Sequence, residues 1–142
     1  MKKKKVKKTN RCKLACNIIQ LYARLRDTDR SGYGRCCSCG KSLSWSEGQG
    51  GHFQSKTRAY NRASLNEKNV NLQCGRCNLF LGSNSAGYSQ FMIDTYGREQ
   101  IEIIKQQSYQ TMEPEFIEAQ IIEYRTRCRT IASTKNFVVK AP

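Results

Sequence analysis

Cys36-Cys37-Ser38-Cys39 and Cys74-Gly75-Arg76-Cys77 each place two thiols two residues apart, and the chain's single histidine, His52, lies between the pairs. Thiolates at that spacing grip one ion from a tight turn, and two such turns complete a tetrahedral four-sulfur zinc site. Cys36 with Cys39 has the preferred geometry. Cys37 is a spare, because only one residue separates it from Cys39. Four thiolates leave no position for water, so this zinc is expected to be structural. The 34 residues between Cys39 and Cys74 exceed the spacer of a short zinc ribbon. Something besides a knuckle is therefore held between the halves of the site.

That spacer is informative in its own right. Gly50-Gly51 immediately precedes His52, and the pair reads as a sharp turn that brings backbone close to a ligand or phosphate. Phe53–Ser64 is polar and carries Lys56, Arg58 and Arg62. Asn69–Leu72 leads into the second knuckle, and a helix is expected to start near Cys74–Asn78.

The elements that must carry these residues are mostly helical. From Arg11 to Arg26, Leu14, Ile18, Leu21 and Leu25 recur at helical spacing, with Cys12 and Cys16 one turn apart as buried free thiols. Ser31-Gly32-Tyr33-Gly34 ends this element. Beyond Gly87, Tyr88, Phe91, Met92 and Tyr96 form one apolar face, Gly97 marks a break, and a short segment with Ile101, Ile103 and Ile104 ends by Ser108. From Pro114 to Ser133, Ile117, Ile121, Tyr124, Cys128 and Ile131 make a seven-residue seam, and Pro114 suits a first turn. Such a seam packs within its own fold or, as the minority reading, against a second copy.

Composition bounds the function. A chain of 142 residues makes one domain with a modest core. The net charge is +14, and it is polarised. Residues 1–93 hold 18 Lys/Arg against four Asp/Glu, a balance of +14, while residues 94–142 hold seven of each and balance to zero. The cationic excess thus coincides with the cysteine region, as expected for a surface that meets a polyanion. Met1–Asn10, with six lysines, reads equally as a phosphate-seeking or a solubilising tail. No stretch approaches the ~20 apolar residues of a membrane span, and no apolar leader follows the lysines. A reducing cytoplasm with metal-bound thiolates is the expected compartment.

The order Cys-x-x-Cys, Gly51-His52-Phe53, then Asn69-Val70-Asn71-Leu72-Gln73-Cys74 through Cys77-Asn78 resembles the HNH or His-Me finger nucleases of the four-cysteine type. Leu65-Asn66-Glu67-Lys68-Asn69-Val70 and Gly82-Ser83-Asn84 narrow the resemblance to the phage lambda NinG (Rap) recombination endonuclease family. It extends upstream through Leu25-Arg26-Asp27-Thr28-Asp29 and downstream through Tyr88, Gly97 and Thr111-Met112-Glu113, from about Lys13 to Ala132. What it implies is an α+β, mainly helical fold. A zinc-stapled ββα finger at about 33–84 would be followed by a helical part at about 86–133, all within one domain, 11–142, behind the basic tail 1–10. It also implies a phage-encoded DNase, in the host cytoplasm, acting on Holliday junctions and D-loops.

Hydrolysis of a phosphodiester needs a base, and a neutral imidazole can take a proton from water. That role falls to His52, since four cysteines already fill the zinc site and a Gly-Gly-flanked histidine suits an exposed loop. By resemblance Asn69 orients the histidine segment, and Asn78 is a ligand of a catalytic Mg2+, with Mn2+ as an alternative ion. Many enzymes of this type carry an aspartate just before the histidine, where this chain has Gly51. Only Glu47 and Glu67 lie between Arg30 and Tyr88. Glu67 is the preferred replacement ligand and Glu47 the alternative. Lys56, Arg58, Arg62, Arg76 and the N-terminal lysines are expected to contact phosphates. Two opposed cuts across a junction suggest a homodimer, and the neutral C-terminal helices suit a recombination or replication partner. The competing reading is a zinc-finger protein that binds nucleic acid without cutting it.

Overall fold

The computed structural model describes residues 8–54, 60–82, 84–140 and 142. Its frame is a pair of long helices. Helix α1 runs Lys8–Arg26 and helix α3 Pro114–Lys135. Residues spaced three and four apart on each face the other: Cys12, Ala15, Ile18, Ile19, Tyr22 and Leu25 on α1, Ile117, Ile121, Tyr124 and Cys128 on α3, all buried in one cluster. Arg11 grips Glu118 with two 2.6 Å bonds, the Cys128 thiol lies 3.8 Å from the Ile18 carbonyl, and Lys135 Nζ donates to the Leu25 carbonyl at 2.6 Å. These contacts advance together along both helices, so the pair runs parallel. Lys135 also donates to the Thr28 carbonyl, placing a cation on the last carbonyls of α1, where the helix dipole favours it.

The seam expected on the last helix is thus consumed by α1. Ile117, Ile121, Tyr124 and Cys128 are buried and Ile131 is half-buried against the same cluster. The intramolecular reading of the seam is the one this packing supports, since its side chains already have a partner in α1.

Between the helices the chain builds two small antiparallel ribbons. Strands β1 (Tyr33–Arg35) and β2 (Ser42–Ser44) pair Tyr33 with Ser44 and Arg35 with Ser42, and the Cys36–Cys39 turn joins them. Strands β3 (Gln49–His52) and β4 (Val70–Gln73) pair Gln49 with Gln73 and His52 with Val70. Two 3-10 turns, Arg62–Leu65 and Glu67–Asn69, precede β4, and a π-helical turn, Arg76–Phe80, follows it. The long element α2, Ser85–Gln107, is broken at Gly97 (φ 81, ψ 162), a conformation that favours glycine. Tyr88, Met92 and Ile104 of α2 bury against Ala63, with Phe53, Phe91 and Tyr96 packed around them. The architecture is α+β and mainly helical. Among the described residues no helix is long and apolar enough to cross a membrane.

Gly50-Gly51 does not form a turn. Both residues are buried inside β3, and the reason for glycine is close approach. A Cβ on Gly50 would lie 2.6 Å from the Gln20 Cα of α1, and one on Gly51 would lie 1.9 Å from the Gln73 side chain. Strand β3 is therefore pressed against α1 at Gly50 and against the Gln73 side chain of its partner β4 at Gly51.

Candidate metal and histidine site

The sulfurs of Cys36, Cys39, Cys74 and Cys77 all lie within 4.8 Å of one another, and those of Cys39 and Cys74 are 3.8 Å apart. A tetrahedral ion with metal–sulfur bonds near 2.3 Å sets its ligands about 3.8 Å apart. The donor set and the spacing both fit zinc. The two knuckles are fastened to each other through the backbone, since the Cys37 amide donates to the Leu72 carbonyl at 2.9 Å. Within the first knuckle, Cys36 and Lys41 close at 2.8 Å, as do Gly40 and Cys36. Burial raises the Cys36 thiol, but amide donors around it (Cys74, Cys39 and Ser38) outweigh that and bring it down to about 7. Cys37 takes no part: its side chain packs in the α2 cluster, and burial pushes its thiol up to about 12.

His52 ends β3 and is only 8 % exposed, not displayed on an open loop. The loop expected around it is a strand, which the ribbon and the 3-10 turn at Arg62–Leu65 enclose. Its Nε2 lies 2.9 Å from the Ser64 carbonyl oxygen. A carbonyl only accepts, so Nε2 carries the proton and Nδ1 holds the lone pair of the neutral ring. The acceptor is itself fixed: Asn61 caps the turn, accepting from the Ser64 amide at 3.2 Å, while Ser64 Oγ accepts from the Asn61 amide at 3.1 Å.

Asn69 locks both sides of this arrangement. It is fully buried; its Oδ1 accepts from the Gln54 amide at 2.7 Å, and its Nδ2 donates to the carbonyls of Ala63 (2.9 Å) and Gln54 (3.2 Å). The Phe53 amide donates to the Asn69 carbonyl at 2.9 Å. One asparagine thus ties the residues just after His52 to the turn that supplies the ring's acceptor.

Asn78 sits elsewhere. Its Nδ2 donates to Gln49 Oε1 at 2.7 Å. Gln49 lies three residues before His52, about 10 Å along the strand, and strand alternation sends the Gln49 and His52 side chains to opposite faces. Asn78 and Gln49 border a cleft of about 660 Å3 that Gln20, Arg24, Trp45 and Lys140 also line, with no Asp or Glu among its lining residues. Glu67 is not turned toward either residue. Its carboxylate lies 3.0 Å from Arg127 of α3, and burial, with this carboxylate nearby, raises the Tyr22 hydroxyl. The replacement-ligand role for Glu67 is therefore corrected: the α1–α3 frame holds that carboxylate. Glu47 is exposed in the turn after β2.

Of the cations expected on DNA, Arg76 is exposed beside the second knuckle. The Arg62 guanidinium lies 4.2 Å over the Phe116 ring, which occupies one of its faces. Lys56, Arg58 and the lysines before Lys8 lie outside the described residues.

Sequence reading missed a buried amide network beneath the histidine. Asn71 Nδ2 donates to the Tyr88 hydroxyl at 3.1 Å, which donates to the Gly51 carbonyl at 2.6 Å. Asn71 Oδ1 accepts from Tyr96 (2.9 Å) and Arg26 (3.0 Å). Arg26 also reaches the carbonyls of Glu67 and Val70, each at 2.8 Å. The only local signal was the alternation Asn69, Asn71, Gln73, which marks one face of a strand as amide-rich.

A family model described as bacteriophage lambda NinG protein matches residues 1–134 of the 142. The chain belongs to that family. No curated protein and no solved structure matches it.

Proposed function

We propose that this NinG-family protein is a zinc-stabilised endonuclease that hydrolyses phosphodiesters of branched DNA, with His52 as general base. The observation that carries the reading is the fixed ring. The Ser64 carbonyl anchors the ring through Nε2, which fixes how the imidazole is presented as a base. In the step, a water oxygen bonds to phosphorus, its proton passes to the His52 imidazole, and the bond to the 3′ oxygen breaks. Solvent protonates the departing oxygen, leaving 5′-phosphate and 3′-hydroxyl ends. Asn69 acts as a positioning residue, because it touches the histidine's surroundings and not the reacting atoms.

A catalytic Mg2+ would find a thin protein donor set. Such ions are held by one or two carboxylates plus substrate phosphates, and the described residues offer Asn78 Oδ1 with no carboxylate beside it. An ion at Asn78 would stand across the strand from His52, so none of the step above runs through it. Most of its shell would come from DNA and water. The +14 charge supplies sequence-independent affinity for the backbone.

The test is cleavage of labelled four-way junction, linear duplex and single strand with Mg2+ or Mn2+. His52→Ala should keep its zinc and its junction binding while losing about 10²–10⁴-fold in rate. Wild-type cutting by that variant would remove the mechanism. A wild type that binds junctions tightly and cuts nothing would establish a binding protein in its place.

A further inference from the structure

We infer that Leu79-Phe80-Leu81 is an apolar wedge that enters the base stack where DNA is branched, an inference that rests on the DNA-directed reading above. Three large apolar side chains in a row stand in water: Leu79 is 64 %, Phe80 82 % and Leu81 47 % exposed. A contiguous apolar patch of this kind marks a surface that something else covers.

Its mounting is rigid. Leu79 and Phe80 end the π-helical turn Arg76–Phe80 and Leu81 caps it, with Cys77 of the four-cysteine cluster inside the same turn. Upstream, the Asn78 amide donates to the Cys74 carbonyl at 3.0 Å, and the Asn78 side chain holds Gln49 at 2.7 Å. Downstream, the Leu81 amide returns to the Arg76 carbonyl at 3.1 Å, the Asn84 amide donates to the Leu81 carbonyl at 2.8 Å, and Asn84 Nδ2 reaches the Cys77 sulfur at 3.5 Å. The backbone is tied at both ends while the side chains project. A side chain that must part stacked bases needs such support.

Charge and size select the occupant. The stretch from Arg30 to Tyr88 is cation-rich in sequence, with only Glu47 and Glu67 as acids, and Glu67 already pairs with Arg127. Arg76 is exposed on the same turn as Leu79 and Phe80. A polyanion fits those surroundings. A second copy of the chain does not, since a stable interface needs roughly 800 Å2 per partner, which three side chains do not supply. Phe and Leu are residue types that proteins insert between base steps, and at a branch the stacking is already interrupted.

The experiment uses the full-length, zinc-loaded protein with Ca2+ in place of Mg2+, and a four-way junction carrying 2-aminopurine at the branch. Wild type should raise the 2-aminopurine fluorescence on binding. The double variant Leu79→Ser, Phe80→Ser should keep zinc, fold and linear-duplex affinity, lose the fluorescence rise, and lose about 5- to 100-fold in junction affinity, the range expected for a lost base–side-chain stack. A variant with the wild-type signal and the wild-type junction-to-duplex ratio overturns the wedge. So does a wild type that self-associates through the triplet, seen as loss of association in the variant. A wild type that cuts junctions without a fluorescence rise overturns the wedge alone. One that binds no DNA overturns the nuclease reading with it.

Discussion

The α1–α3 pair and the cysteine finger hold themselves together by different means. The helical pair shares one large cluster of buried apolar side chains, including Ile18, Leu25, Ile117 and Ile121. The finger's own cluster is Leu43, Leu72 and three of the cysteine ligands, Cys36, Cys74 and Cys77. What burial does for the helices falls, in the finger, to buried amides and to a four-cysteine cluster able to hold a metal ion. Histidine and asparagines held by directional bonds are placed more narrowly than packing alone would place them. The softer-cored half therefore carries the ordered site.

The largest expected consequence follows from removing the metal. Site closure and folding are coupled, and structural zinc contributes on the order of 10 kcal/mol in small zinc domains. Chelation, or Cys74→Ser, should collapse amide hydrogen-exchange protection across 33–82 while the α1–α3 amides stay protected. Protection lost uniformly along the chain would show that the two regions are one cooperative unit. Full zinc in purified Cys74→Ser would remove the ligand assignment. Cys37→Ser should be mild by comparison, because its sulfur lies outside the cluster.

Next in size is Ile121→Ala. Truncating a fully buried isoleucine typically costs about 2–5 kcal/mol, and the loss should appear in denaturant unfolding with zinc content unchanged. Because Ile121 faces α1, sedimentation should show the same oligomeric state before and after. A dimer that the substitution dissociates would restore the seam as an intermolecular contact.

A smaller loss tests whether amides substitute for core in the finger. Asn71→Ala leaves Tyr88, Tyr96 and Arg26 each short of a buried partner, at a cost of roughly 1–3 kcal/mol. Cleavage should fall with it, since Tyr88 bonds the Gly51 carbonyl next to His52. An Asn71→Ala protein of unchanged stability would show that water replaces the amide.

The same contrast explains what the sequence revealed. Helix α1, α3 and the break at Gly97 were legible because period and glycine act locally. The four cysteines were legible because a metal imposes spacing. The burial of His52 was not, since its acceptor is a backbone carbonyl twelve residues away that no side-chain pattern reports. Gly50-Gly51 looked like a turn because glycine serves both turns and close approach, and only the neighbour, Gln20 of α1, distinguishes them. Glu67 stands at a motif position that suits a ligand, while its partner in the fold, Arg127, lies sixty residues on.

That ion pair gives the smallest expected effect and the finest test of where the two regions meet. Glu67 belongs to the finger in sequence and to the frame in space. Arg127 is 41 % exposed and also pairs with Glu123 at 2.6 Å, so water and a second carboxylate both compete for it. Exposed pairs contribute about 0–1 kcal/mol, and Glu67→Gln should change stability by no more than that. Because the carboxylate faces Arg127 and Tyr22 and not Asn78, junction cleavage and its Mg2+ dependence should stay at wild type. A Glu67→Gln protein that needs substantially more Mg2+ for half-maximal cutting would return Glu67 to the metal shell. The finger would then have to reshape around DNA, releasing this carboxylate from the frame before the histidine can act.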